Sequence, residues 1–252
     1  MENIYTNQET YILPSKGKIY DKPVKDTFSL RSMTTAQEMR RCSPNVNNQY
    51  KLMCDIIDEC LIDKLGISVY DLHLGDYQYL LHKLRIVTYG SDYKVAVRCP
   101  YCGHIYQTSI NLDDLNVIEY SDDCNKLLTV ELPASKRTIE LRYQTPRLLD
   151  KIEQRKREIL QKSEDKNINY SLLLTLMYSI KTVDGEEMNH NALESFIKNL
   201  PMRDTNILLQ RIDKINKMIG IEPSTTIVCE KCGNEIDFPF RYSSEFFGPT
   251  ID

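Results

Sequence analysis

Cys99-Pro100-Tyr101-Cys102-Gly103 and Cys229-Glu230-Lys231-Cys232-Gly233 decide the fold of this chain. Two residues between cysteines let both thiolates reach one ion at about 2.3 Å, as a tetrahedral site requires. The glycine after each pair frees the backbone to turn sharply around the metal. Strand-like runs flank both units. Val95 and Val97 alternate before the first pair and Ile105 opens a run after it, while Thr225-Thr226-Ile227-Val228 and Glu235-Ile236-Asp237-Phe238 bracket the second. Two such knuckles make one zinc ribbon, with Cys99, Cys102, Cys229 and Cys232 as the ligands of a single structural Zn2+.

Cys229 follows Cys102 by 127 positions, far more than a compact ribbon needs. Each doubling of a flexible loop costs only about 0.6 kcal/mol, so three doublings cost roughly 2 kcal/mol. Zinc binding to small finger peptides is worth roughly 10–16 kcal/mol. The metal outweighs the loop, and an insertion that folds brings its own ends together. The expected class is therefore α+β: a split four-cysteine zinc ribbon carrying a large, mainly helical insertion, after a helical N-terminal part with an extended arm.

Other readings of the cysteines compete. Cys-Pro-Tyr-Cys is also the active-site tetrapeptide of glutaredoxin-like enzymes. There the motif opens a helix that lowers the thiol pKa. Here Gly103-His104-Ile105-Tyr106 reads as strand, and a second pair in matching context has no place in such an enzyme. Cys60 falls on the apolar face of a helix and reads as core. Cys42, Cys54 and Cys124 have no partner at ligand spacing, and His104 is expected to face solvent.

The rest of the chain sets the context. It has 252 residues, 41% hydrophobic and 27% charged, the balance of a folded globular protein. Sixteen tyrosines beside no tryptophan hint at contact surfaces. The net charge of −4 does not draw the whole chain toward nucleic acid. Neither a signal-like start nor an apolar run of about 18 residues is present, so the expected setting is a reducing cytoplasm without a membrane.

Residues 1–94 read as the arm followed by helices. Pro14 and Gly17 mark a turn, residues 27–31 a strand, and Thr34 and Thr35 before Gln37 and Glu38 a capping-box pattern. Pro44 breaks the pattern. Helices are expected over 49–65 and 75–87, the latter closed by Gly90. Residues 95–122 and 223–252 form the split ribbon. Residues 123–222 form the insertion: a hairpin around Pro133 to Lys136, then helices near 148–160, 170–180, 192–200 and 205–219, with a turn at Asp184-Gly185 and Gly220 as the last helical stop.

No nucleophile elbow, Walker loop, zinc-protease or dinucleotide motif occurs, and a closed four-cysteine site leaves no position for activated water. No enzyme activity and no small-molecule substrate are expected. Arg155-Lys156-Arg157 is the densest basic run, but Glu153 and Glu158 beside it suggest an exposed helix with i,i+4 ion pairs. A zinc-ribbon nucleic-acid-binding factor stands as the alternative.

In order along the chain come LPSKGKIY, LRSMTTAQEM, GDYQYLLHKLRIVTYG running into CPYCG, LPASKRTIELR followed by TP, SIKTVDG, FIKNLPMRD, CEKCG and the terminal EFFGP. In this order the sequence resembles the baseplate hub and assembly family of T4-like contractile-tailed phages. The resemblance implies a structural or assembly protein of a phage tail, made in the host cytoplasm, carried in the virion baseplate and working through contacts with other tail proteins. Phe246, Phe247 and Tyr20 are the candidate partner-binding residues. For the two phenylalanines two readings stand side by side: anchors that dock into a partner groove, or rings that pack on their own domain.

Overall fold

The computed structural model describes residues 8–43, 48–162, 170–222, 224–239 and 244–247. The expected break at Pro44 and the residues beyond Phe247, Pro249 among them, lie outside these.

Strand β1 (Gln8–Ile12) pairs antiparallel with β2 (Thr27–Arg31), so the N-terminal arm is a hairpin folded back on the body. Alternation in β2 sends Phe28 and Leu30 fully inward. Helix α1 (Thr35–Arg41) opens on the capping box: the Thr34 hydroxyl accepts from the Gln37 amide, and the Gln37 side chain accepts from the Thr34 amide. Helix α2 (Gln49–Cys60) stops short of the expected Leu65. The reason is tertiary. Leu61 is drawn into a β-bridge with Leu30, and the Ile62 amide donates to the Ser29 carbonyl at 2.9 Å.

Helix α3 (Leu74–Tyr89) is the central post, buried on most sides, and Gly90 closes it at φ 87°. Three points hold the arm to it. Buried Asp76 accepts from the Ser15 amide at 3.0 Å and from the Tyr20 hydroxyl at 2.6 Å, and the Tyr20 oxygen accepts from the His73 amide at 3.0 Å.

Strands β3 (Asp92–Arg98) and β4 (Ile105–Asn111) form the first cysteine hairpin. The short β5 (Val117–Ile118) leads into the excursion. There β6 (Thr129–Glu131), β7 (Thr138–Leu141) and β8 (Ile180–Val183) make a three-stranded antiparallel sheet. Helices α4 (Pro146–Lys162) and α5 (Tyr170–Ser179) lie between β7 and β8, and α6 (His190–Lys198) and α7 (Met202–Asn216) follow. The apolar run from Tyr170 leaves the helix at Ser179, because Ile180 to Val183 pair with β7. Gly220 does not cap a helix. It sits in β9 (Gly220–Ile221), paired with β5 at the base of the excursion. Strands β10 (Ser224–Val228) and β11 (Glu235–Pro239) form the second cysteine hairpin.

Among the described residues two apolar cores result. One joins the arm, α2, α3, both cysteine hairpins and Phe246–Phe247; the other joins the β6–β8 sheet to α5, α6 and α7. They meet where α3 begins. A Cβ on Gly75 would lie 2.1 Å from the Ile219 carbonyl oxygen, and one on Gly220 would lie 2.9 Å from the Gly75 Cα, so the two backbones touch. Beside them the His73 ring takes a hydrogen bond from the Gly75 amide at 2.9 Å, and its Nε2 lies 3.0 Å from the Ile215 carbonyl.

Candidate metal centre

Each hairpin turns on its cysteine pair with the same hydrogen bonds. In the first, the Cys99 amide donates to the His104 carbonyl at 2.9 Å and the Gly103 amide to the Cys99 carbonyl at 3.0 Å. In the second, the Cys229 amide donates to the Asn234 carbonyl at 2.9 Å and the Gly233 amide to the Cys229 carbonyl at 2.9 Å. Gly103 and Gly233 have φ of 70° and 71°, a left-handed conformation that favours glycine. The expected glycine role therefore holds at both knuckles.

The hairpins bring the four sulfurs together. All four Sγ atoms lie within 4.8 Å of one another, with Cys99 to Cys232 at 3.7 Å and Cys102 to Cys229 at 3.8 Å. A tetrahedron with metal–sulfur bonds of about 2.3 Å has edges of about 3.8 Å. These separations fit one ion and are far too long for a disulfide, whose bond is about 2.05 Å. Cys99 and Cys229 are buried, whereas Cys102 and Cys232 reach the surface.

Backbone amides favour the thiolate at two of the four cysteines, Cys99 and Cys229, whereas at Cys102 the His104 amide is outweighed by burial and the three neighbouring sulfurs, which push the thiol up to about 12. Burial opposes ionisation of Cys99, but amides of Cys102 and Tyr101 outweigh it and bring the thiol down to about 7. The Cys232 amide, with that of Lys231, lowers Cys229 against the same burial. Thiolates are the form that ligates metal. Around the sulfurs, His104 Nε2 lies 2.9 Å from Glu230 Oε1 and so bridges the two knuckles, a contact that spacing alone did not suggest. The Asn234 side-chain Nδ2 donates to the Cys232 sulfur at 3.5 Å, and the Tyr106 hydroxyl donates to the Val228 carbonyl at 3.4 Å. Strand β4, not a helix, follows Cys102, so the helix dipole on which a redox Cys-Pro-Tyr-Cys depends is missing at this motif.

The other cysteines stay apart from this cluster. Cys54, Cys60 and Cys124 are buried singly and Cys42 is exposed. Burial pushes the Cys60 thiol up to about 11, as suits a core position. Arg155 and Lys156 pair with Glu158 and Glu153 at i,i+3 rather than the expected i,i+4.

The three candidate contact residues are used within the chain. The half-buried Tyr20 is spent on Asp76 and His73. Phe246 and Phe247 are only 1% and 4% exposed, in a 3-10 turn over Ser244–Phe247, so they are not presented as surface anchors. Phe246 meets His82 and Tyr93 at ring separations of 6.0 and 5.5 Å, and Arg41 lies 5.4 Å over Phe247. Burying two phenylalanines favours this by about 3–6 kcal/mol. A charge-assisted hydrogen bond from Arg85 Nε to the Phe246 carbonyl at 3.0 Å adds about 2 kcal/mol. Ordering the four residues of the turn costs about 4–8 kcal/mol. The two sides balance to within a few kcal/mol.

The family model described as T4 bacteriophage base plate protein matches residues 6–248. No curated protein and no solved structure matches the chain. The family match runs from just before β1 to just past the aromatic turn and takes in both cysteine pairs and the whole excursion between them, so the chain belongs to the T4 bacteriophage base plate protein family.

Proposed function

We propose that this protein is a structural component of the tail baseplate of a T4-like contractile-tailed phage, and that it works through contacts with other tail proteins. It would be built in the host cytoplasm and carried in the virion. Residues 1–94, the split ribbon of 95–122 with 223–252, and the excursion of 123–222 would be its working units. One zinc ion held by Cys99, Cys102, Cys229 and Cys232 would fasten the ribbon. Four thiolates close the coordination sphere, so the metal supplies rigidity rather than an activated water. The observation that carries the metal reading is the approach of four sulfurs, contributed by two distant hairpins, to tetrahedral separations. The baseplate reading rests on the family match over residues 6–248.

Two measurements test these readings separately. Metal analysis of protein purified under reducing conditions should find one zinc per chain; a metal-free protein of full stability would refute the first. Mass spectrometry of purified virions and of baseplate complexes from infected cells should find the chain. Its absence from both would refute the second.

A further inference from the structure

Between the two cysteine hairpins lies a groove of about 320 Å³, room for a main chain rather than for one or two waters. Its long walls are Thr108 to Asn111 of β4 and Thr225 to Val228 of β10. Side chains of a strand alternate between its faces, so a wall made of four successive residues is the edge of the strand. The ladders agree. The Cys99 amide bonds to the His104 carbonyl and the Leu112 amide to the Ser91 carbonyl, so alternation turns the main-chain groups of Thr108 and Ile110 to β3 and those of Gln107, Ser109 and Asn111 away from it. In the second hairpin the bond from Cys229 to Asn234 leaves those of Thr226 and Val228 turned away from β11. The Val228 carbonyl meets the Tyr106 hydroxyl, which closes the groove at its knuckle end. Beyond that point no sheet joins β4 to β10 among the described residues.

The four strands differ in how their edges are protected. The outer ones carry what blunts an edge: Asp92, Lys94 and Arg98 in β3, and Glu235, Asp237 and Pro239 in β11. The inner strands β4 and β10 carry neither charge nor proline. Asp114, at the end away from the knuckles, is the one charged residue in the lining. Two unprotected edges facing each other across open space are what strand addition uses. Strand β4 runs away from the sulfur cluster and β10 runs toward it. An inserted strand therefore lies antiparallel to one wall and parallel to the other, and both ladders can form.

We infer that the groove takes a single extended segment of another protein, which joins the two hairpins into one sheet in the order β3, β4, segment, β10, β11. The walls define the segment. It has about four residues, small or β-branched, without proline or acid, and a lysine or arginine at the end that meets Asp114. A second copy of the chain suits the groove poorly. Every described strand in it already has a partner, and an edge held in a hairpin reaches one wall, not both. Such binding is a property of the isolated chain, so its failure leaves the baseplate reading untouched.

The test uses the full, isotope-labelled chain, with two acetylated and amidated hexapeptides as probes: Lys-Thr-Val-Thr-Val-Thr and its reverse. At saturation one of them is expected to slow exchange of the Ser109 and Thr226 amides at least about tenfold. The amides of Thr108 and Ile110, already bonded to β3, should change little. The same peptide N-methylated at both valines is expected to bind at least about tenfold more weakly, because main-chain bonds carry the affinity. Thr226→Pro, which removes an amide that β11 does not use, should weaken binding as much. No binding of either peptide up to about 1 mM, or equal binding of the N-methylated form, overturns the inference. Slow exchange of both amides before any peptide is added overturns it as well, since the chain's own residues would then fill the groove. Shifts at both amides on concentrating the chain alone would put a second copy there and reject the single segment.

Discussion

At each knuckle a single residue type does one job that no other does as well. The cysteines at positions 99, 102, 229 and 232 converge on one point, so removing one sulfur leaves three donors and an open side. Cys229→Ser is expected to lose bound zinc and unfold at a lower temperature, with metal content and thermal melting as the readouts. Lys231→Ala, on the exposed lip of the same turn, should change neither. Zinc retained at full stoichiometry in Cys229→Ser would rule out the four-sulfur site. Histidine supplies a second test. Burial holds His73 at about 4, against an ordinary value of 6.5. Between those values the folded state binds fewer protons than the unfolded one. Its contribution is therefore complete above about pH 6.5 and is lost as the pH falls toward 4. The loss amounts to about 2 kcal/mol by about pH 5. His73→Gln keeps a donor and an acceptor but cannot titrate, so its denaturant midpoint should fall less between about pH 7 and pH 5 than the wild-type one. Equal falls would show that His73 does not carry this sensitivity. The sulfur set was readable from spacing, because ligand geometry fixes that spacing. The His104 to Glu230 bridge was not, because it depends on how two hairpins 126 positions apart face each other.

Among the elements, those governed by local chemistry were readable and those governed by pairing were not. The capping box at Thr34 and Gln37, the Gly90 stop and the cysteine hairpins follow from residues a few positions apart. The early end of α2 at Cys60, strand β8 and the place of Gly220 in β9 all come from partners far along the chain: Leu30, the strand β7, and the pair formed by β5 and Gly75. The last is the most exacting. Gly75→Ala would drive a methyl group into the Ile219 carbonyl and is expected to destabilise the protein by about 1–3 kcal/mol or more. Gly185→Ala offers a comparison: its φ of 84° is strained for alanine, but nothing lies within 4 Å. It should cost about 1–2 kcal/mol. Thermal or urea unfolding of the two proteins distinguishes them, and a Gly75→Ala protein no weaker than Gly185→Ala would contradict the backbone contact.

For the whole molecule, the excursion between β5 and β9 is tied twice at its base, once by that strand pair and once by the sulfur cluster. The second core, around the β6–β8 sheet, lies beyond both ties. Stripping metal with a chelator under reducing conditions should therefore act unevenly. Amide protons of the knuckles, such as those of Gly103 and Gly233, should exchange faster, while those of β7 and β8 keep their protection. Uniform loss of protection would mean that the cores do not open separately. The overall class followed from the sequence because the two cysteine pairs demanded a common meeting point. The sharing of one core by the arm and the cysteine hairpins did not, since no local pattern records which apolar faces come together.

The spacing of the two pairs also sets an order of events during synthesis. Cys102 leaves the ribosome 127 residues before Cys229. At about 5–20 residues per second the nascent chain carries half a site for roughly 6–25 s. Through that interval two thiols wait for partners that have yet to be made, and the cluster becomes whole only once the second hairpin has emerged.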